Sequence, residues 1–288
     1  MLEAFDQLGW LLPLCLLCLG LMVGSFLNVV IYRLPLMLES HWRRDCRELL
    51  DIPRGATEPP LNLATPNSHC PHCKAAIAPW HNIPVVSYLV LRGRCARCSA
   101  PIAVRYPLIE LATGSMTLAL YWYFPLSLAL LGAACFTWAL IALTMIDIDH
   151  QLLPDDITLP LLWLGLLFNL GGTFAGLADA VLGAVCGYLL LWSIYWLFKL
   201  LTAKEGMGYG DFKLLAALGA WLGWQALPLI ILLSSLVGAI CGSALMVIRR
   251  RGREIPIPFG PYLAMAGWIA LLWGEPIMAR YLGALAVH

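Results

Sequence analysis

Apolar residues in this chain gather into long runs, and the polar residues between them are confined to several short stretches and one long one. A run of about 20 apolar residues is enough to cross a bilayer as a helix. On that criterion the pattern predicts eight membrane helices, over 10–32, 106–124, 126–146, 157–174, 178–200, 212–224, 226–248 and 259–273. The sixth is the weakest of them, being short and entered through glycines. The fold class expected is an all-α polytopic membrane protein of about eight helices, with one small polar insert after the first.

Composition agrees with that class. Of 288 residues, 61% are hydrophobic and 12% charged, whereas soluble domains carry about 25% charged residues. The net charge of +1 says little; its placement says more. Ten of the eighteen Lys and Arg lie within 33–105, followed by Lys199, Lys204 and Lys213, then Arg249, Arg250, Arg251 and Arg253. With eight spans all of these fall on one side, and positive charge gathers on the cytoplasmic side. Only Arg280 falls on the other. The expectation is therefore a multi-pass membrane protein with both termini outside and the insert cytoplasmic. The start lacks a basic segment ahead of its apolar run, so the first span reads as an anchor rather than a cleaved signal. The lipid bilayer is one expected partner; nucleic acid is not.

The insert, 33–105, opens with a charged, proline-dotted part over 38–63 that reads as a short helix and irregular chain. Its second part holds CPHC at 70–73 and CARC at 95–98, with 21 residues between the pairs. A CxxC turn brings two thiolates to one ion, and two such turns close a tetrahedral four-sulfur site. Cys70, Cys73, Cys95 and Cys98 are thus expected to hold a structural Zn2+. Disulfides are disfavoured in a reducing compartment, and a redox role is the lesser alternative. A module this small would draw much of its folding energy from the metal. His69 and His72 stand beside ligands but are not needed. Cys15, Cys18, Cys46, Cys135, Cys186 and Cys241 read as small packing residues.

Acids inside apolar runs are costly and mark function by default. Asp211 lies in GMGYGDFK (206–213), between two apolar runs. Its glycines are poor helix formers and suit an unwound turn where backbone approaches backbone or substrate. A phosphate loop is excluded, because no strand precedes it and no Lys-Ser/Thr follows. The proposed partner is Asp147, at the end of the third span. Two carboxylates sharing a site cannot both ionise cheaply, so one serves as acid and the other as base. Asp147 and Asp149 point about 200° apart on a helix, and Asp147, the deeper, is preferred. Asp155 and Asp156, after Pro154, are expected to cap the fourth helix and favour its dipole. Glu110, about one turn inside the second span, is either a buried carboxyl satisfied by Arg105 or another neighbour, or a contact for a charged end of substrate. Asn28 makes an interhelical hydrogen bond or lines a substrate path. The Arg249–Arg253 cluster reads as a topology anchor, and 256–262 as extended chain entering the last span. A proton- or cation-coupled transporter and a membrane-anchored zinc scaffold remain rivals to the protease; no inverted repeat supports the first.

Taken in order, GSFLN (24–28), the paired CxxC turns, RYPLIE (105–110), Ile146-Asp147 with LPD (153–155), GYGDFK (208–213) and PFGP (258–261) resemble the bacterial type IV prepilin leader peptidase/N-methyltransferase family. The match runs from Gly24 to about Pro261. The resemblance implies an intramembrane-type aspartic protease of the GxGD group, with Asp147 and Asp211 as the catalytic pair and Gly208, Gly210, Glu110 and Asp149 placed to meet substrate. It divides the chain into a first helix (1–32), the four-cysteine insert (33–105) and a catalytic helical domain (106–288). It implies prepilins and type II secretion pseudopilins as substrates, cut after glycine behind a short basic leader. It also implies S-adenosylmethionine as methyl donor for the new N-terminal residue, although no motif in the chain reveals where that cofactor binds.

Overall fold

The computed structural model describes residues 9–52, 61–204, 206–249 and 258–285. Among them the chain is helical, without strands, and divides into two compact units, Met1–Trp122 and Tyr123–His288. Glu205, Arg250, Arg251, Arg253 and the chain over 256–257 lie outside the described residues.

The first unit is a long helix, α1 (Leu11–Leu49), lying against α3 (Arg105–Leu120), with α2 (Val86–Val90) and a single turn at Pro79–Asn82 between them. The α1–α3 contact is made by small residues. A Cβ on Gly20 would stand 2.8 Å from Gly114 Cα, and one on Gly24 2.8 Å from Glu110 Cα. Glycines here give room for the neighbouring backbone, the usual device of helices packed in lipid. Asn28 donates from Nδ2 to the Tyr106 carbonyl at 3.2 Å, so the interhelical hydrogen bond is what forms.

Contrary to expectation, the first helix does not stop near residue 32. It runs on through Pro35 to Leu49, 39 residues in all. Residues 36–49 are rich in good helix formers, and Glu39 and Arg43 pair across one turn at 2.6 Å. Arg33, read from sequence as one of many topology charges, is buried. It donates to the carbonyls of Asn62 (2.9 Å), Leu63 (3.4 Å) and Pro66 (2.6 Å). A charged side chain that binds three carbonyls fixes the loop it holds.

The second unit contains α4 (Leu128–His150), α5 (Asp155–Asn169), α6 (Leu177–Thr202), α7 (Tyr209–Leu222), α8 (Leu227–Arg249) and α9 (Gly260–Leu285). Five stretches are long and apolar enough to cross a membrane: Leu11–Leu49, Leu128–His150, Leu177–Thr202, Trp224–Ala244 and Gly260–Arg280. The chain is an integral membrane protein on that ground. All eight predicted helices are present in order, but α3, α5 and α7 have only 16, 15 and 14 residues. At 1.5 Å per residue α7 is about 21 Å long, short of a hydrocarbon core of ~30 Å.

That short helix is the centre of the unit. Phe212, Leu214, Leu215, Ala217, Leu218 and Trp221 are fully buried among α5, α6 and α9. Its backbone meets that of α6 where Gly183 faces Gly219, and a Cβ on Gly187 would lie 2.7 Å from the Leu215 carbonyl oxygen. Trp221 fills the other side, against Phe136, Phe168 and Phe174, and donates from Nε1 to the Leu161 carbonyl at 2.7 Å.

Asn169, at the end of α5 and fully buried, closes the far end of α7. Its Nδ2 donates to the carbonyls of Ala220 and Trp221, both at 2.9 Å, while its Oδ1 accepts from Phe174 N–H (2.9 Å) and Ala175 N–H (3.0 Å). Both donors and both acceptor positions of the amide are used. Asn169→Ala removes the partner of two buried carbonyls and two half-buried N–H groups, each lost bond at a buried group costing about 1–3 kcal/mol. Purified in detergent, the variant is expected to unfold at a temperature lower by several degrees. An unchanged midpoint contradicts the role given to Asn169.

Candidate functional site

The first unit presents a sulfur cluster. The Sγ atoms of Cys70, Cys73, Cys95 and Cys98 all lie within 4.8 Å of one another, and Cys70 Sγ stands 3.8 Å from Cys98 Sγ. Four sulfurs about 2.3 Å from one ion are separated by about 3.8 Å in a tetrahedron, so the donor set fits a thiolate-bound metal. The two turns repeat one another's backbone bonds 25 residues apart. Cys70 N–H binds Ala75 O and Lys74 N–H binds Cys70 O; Cys95 N–H binds Ala100 O and Ser99 N–H binds Cys95 O. Lys74 and Ser99 close the turns at φ +56° and +57°.

Backbone amides pointing at sulfur favour thiolate. Those of Cys98 and Arg97 draw the Cys95 thiol down to about 6, and those of Cys73 and His72 lower Cys70. At Cys98 the Ala100 amide acts downward, but burial and the neighbouring sulfurs prevail and push that thiol up to about 11. A set in which the first thiolates resist a further charge is one that a cation completes. His69 stays out of the cluster and donates from Nδ1 to the Asn67 carbonyl at 3.1 Å. Cys15, Cys18, Cys46 and Cys186 are exposed rather than packed, because their faces of the helices point outward.

Glu110 is buried in α3, where its Oε2 accepts the Val85 N–H at 2.7 Å and its carboxyl also hydrogen-bonds the Ser25 side chain. Its partners thus include a loop amide and a hydroxyl of α1.

The second unit presents the two aspartates. Asp147 is 5% exposed and Asp211 7%, and the charge of Asp147 acts on Asp211. Asp147 sits in the last turn of α4, where its carbonyl accepts the N–H of Gln151, the left-handed residue that ends the helix. Its Oδ2 accepts the N–H of Gly260, the first residue of α9, at 3.0 Å. Asp211 sits in the first turn of α7 behind Gly208, whose carbonyl receives the Asp211 N–H at 3.3 Å. A carboxylate is favoured at a helix start and disfavoured at a helix end, so the two acids stand in unlike fields.

Leu153 joins the halves. A Cβ on Gly210 would meet Leu153 Cβ at 2.7 Å, and one on Gly260 would meet Leu153 Cδ2 at 3.1 Å. Gly206 is likewise in contact with Phe198, at 2.8 Å from a built Cβ. None of Gly206, Gly208 and Gly210 has positive φ. Gly206 and Gly208 lie in the non-helical turn ahead of α7, as expected, whereas Gly210 lies within the helix and serves close approach to Leu153.

Around this pair the acids separate by role. Asp149 is exposed, on the other side of α4 from buried Asp147. Asp155 does not cap α5. Pro154 holds the capping position without a side-chain bond, and both Asp155 oxygens bind Lys213 Nζ at 2.7 Å. Lys213 is two residues past Asp211, so the ion pair ties the start of α5 to the start of α7; sequence spacing carried no sign of it. Asp155 and Asp156 remain in the first helical turn, where the dipole favours them. Beside the site lies a cavity of about 370 Å³ lined by Leu191, Met207, Ser235, Phe259, Tyr262 and other side chains of α6 and α8. Met207 precedes Gly208, and Phe259 precedes Gly260, so its wall continues into both aspartate loops.

Fold and site together define a polytopic membrane protein with a buried aspartate pair and a separate four-thiol module. Residues 18–124 match the Bacterial Peptidase A24 N-terminal domain, and residues 134–243 match the Type IV leader peptidase family. Curated relatives bear the name prepilin leader peptidase/N-methyltransferase. The chain is 58% identical to that of Stutzerimonas stutzeri over 93% of each chain, and 58% to that of Aeromonas hydrophila over 98% of each. It is 47% identical to that of Legionella pneumophila, over 95% of this chain and 96% of the other. The chain belongs to the type IV leader peptidase family. No solved structure matches it.

The Gly260 contact gives a direct test of the site. A methyl at that position would lie 2.6 Å from Asp147 Oδ2, so Gly260→Ala must displace the carboxylate. Peptidase activity of the variant is expected to fall at least about tenfold, because small misplacements of reacting groups are costly, with helix content by circular dichroism unchanged. Full activity shows that Asp147 need not stay where Gly260 holds it.

Proposed function

We propose that this chain removes the basic leader of type IV prepilins and type II secretion pseudopilins with Asp147 and Asp211, and then methylates the new N-terminus. The family makes it a peptidase and methyltransferase. The observation that carries the assignment of residues is the burial of both motif aspartates within electrostatic reach of each other. The ionised member takes a proton from water, which attacks the scissile carbonyl. The protonated member hydrogen-bonds the carbonyl oxygen and then helps protonate the leaving amine. Atoms balance as one water added across one peptide bond, without a covalent intermediate.

Gly208 and Gly210 leave the approach to Asp211 open, and Asp149, Asp155 and Asp156, exposed where α4 gives way to α5, attract a basic leader. The apolar cavity beside the pair suits the hydrophobic part of the same substrate. Glu110 is a substrate contact on the motif reading; its bonds to Val85 and Ser25 make it first a support for the loop that substrate would meet. Eight crossings, with α3, α5 and α7 as short spans, put both termini in the periplasm and the catalytic and four-cysteine regions at the cytoplasmic face of the inner membrane. The relatives' names lend no support to the transporter or scaffold readings.

The four cysteines suit Zn2+, whose closed tetrahedral thiolate site is structural; bound there, it would hold the two turns together and supply no chemistry. S-adenosylmethionine is a different matter. Among the described residues the lining of the 370 Å³ cavity offers Ser235 and Tyr262 as polar side chains and no charged partner for the amino-acid head of that molecule, so those residues do not by themselves fit the methyl donor.

Two measurements follow. Asp147→Asn and Asp211→Asn are each expected to reduce cleavage of a purified prepilin by about a thousandfold or more, the double variant losing no further, because the acids act as a unit. Cleavage near the wild-type rate by either folded variant rules out the pair. Metal analysis of the purified protein is expected to find about one zinc per chain, lost in Cys70→Ser or Cys95→Ser together with proteolytic protection of the 61–104 region. Retention of zinc in both variants removes the ion from this site.

A further inference from the structure

The chain between the two CxxC turns is the least soluble-looking part of the polar insert. Trp80, Ile83, Val86, Leu89 and Val90 are all exposed, Leu89 and Val90 at 68% and 74%. They lie on the turn Pro79–Asn82 and on α2, and are followed by exposed Arg92 and Arg94. An apolar segment with Trp and Leu ahead of arginines has the composition of chain that lies at a membrane interface.

Its depth can be read from what holds it. Val85 N–H bonds Glu110, and Glu110 also bonds Ser25 of α1. Ser25 lies eight residues before Arg33, the first charge after the apolar run of α1. That is roughly 12 Å along the helix on its apolar side. The neighbours of Ser25 on α1, Met22 and Phe26, are exposed in the same way as Leu89 and Val90. Residues 80–90 therefore stand beside the lipid-facing part of α1 and not beyond its charged end.

The backbone is built for the same surroundings. Chain in lipid must satisfy its polar groups internally. Val86 N–H bonds Pro84 O across a tight turn, with Val85 at φ +60°. Ser87, Leu89, Leu91, Arg92 and Gly93 donate their N–H groups to the carbonyls of Ile83, Val85, Ser87, Leu89 and Tyr88, and the Ser87 hydroxyl donates to Ile83 O. A β-branched residue at positive φ is strained. Here the turn it makes delivers its own N–H to a buried carboxylate.

We propose that residues 80–90 form a re-entrant membrane elbow, with their exposed apolar side chains in the acyl boundary of the bilayer. Arg92 and Arg94 reach the anionic headgroups at its exit. The insert is thus held to the membrane between its two CxxC turns, not suspended in the cytoplasm.

The test uses the full chain in vesicles of phosphatidylethanolamine and phosphatidylglycerol, doped with a phospholipid carrying a diazirine in mid-acyl chain. After illumination, lipid adducts are mapped by peptide mass spectrometry. Adduct yield over 80–90 is expected within about threefold of that at Met22 and Phe26, and at least about tenfold above that at Trp42 and Leu49, which are exposed on α1 beyond Arg33 and outside the hydrocarbon. A yield at the Trp42 level overturns the proposal, whether water or a protein partner covers the segment. The double variant Leu89→Asp/Val90→Asp is expected to lose the adducts over 80–90 while keeping those at Met22 and Phe26. Unchanged labelling of that variant over 80–90 also overturns it.

Discussion

A carboxylate surrounded by apolar side chains survives only where something receives its charge or its proton. Both units of this protein meet that constraint in the same way. In the second, Asp147 takes the N–H of Gly260 at the point where α9 begins. In the first, Glu110 takes the N–H of Val85 at a tight turn between the metal-binding turns. In each case the donor belongs to a segment far away in sequence that would otherwise leave an amide unpaired. The acid is satisfied, and the segment is fixed. A buried carboxyl group is thus an anchor for chain as well as a reagent, and only the company it keeps decides which use dominates.

For Asp147 the company is a second acid, and for Glu110 it is a hydroxyl and an amide. On the proposed function, that difference separates catalysis from support. Glu110 already receives bonds from Val85 and Ser25, which tie it first to its own unit. The pair in α4 and α7 keeps its charges in conflict, with Asp211 at a helix start and Asp147 at a helix end. Proton sharing between such groups is what peptide hydrolysis requires.

Much of this was legible in the chain. All eight apolar runs form helices, and five stretches are long and apolar enough to cross a membrane. The cysteine pairs were legible because metal geometry fixes ligand spacing. The aspartates stood out because acids in apolar runs are rare. What spacing could not express was contact across the chain. Nothing in PFGP announces that Gly260 donates to Asp147. Asp155 looked like a helix cap until Lys213, 58 residues away, claimed both its oxygens. Arg33 looked like one more topology charge, yet it binds three loop carbonyls. The glycines near Asp211 suggested an unwound backbone, which holds for Gly206 and Gly208; Gly210 is helical, and its neighbour Leu153 explains it by volume. Periodicity reports which face is buried. It does not report what the face meets.

The shortness of α7 connects these observations. About 21 Å of helix packed against the 26-residue α6 and α9 must end below their rim on at least one side. At its C-terminal end the gap is filled, since Asn169 takes the carbonyls of Ala220 and Trp221, and the turn Trp224–Ala226 leads straight into α8. The shortfall therefore falls at the N-terminal end, where the glycines and Asp211 lie and where Met207 and Phe259 line the cavity. A recess with two acids at its edge and an apolar wall beside it admits extended chain more readily than helix, for a helix keeps its carbonyls bonded to itself. A substrate that arrives as a membrane helix must loosen its last turns to present a peptide bond there. The enzyme keeps one helix short, and the substrate gives up helix to reach it.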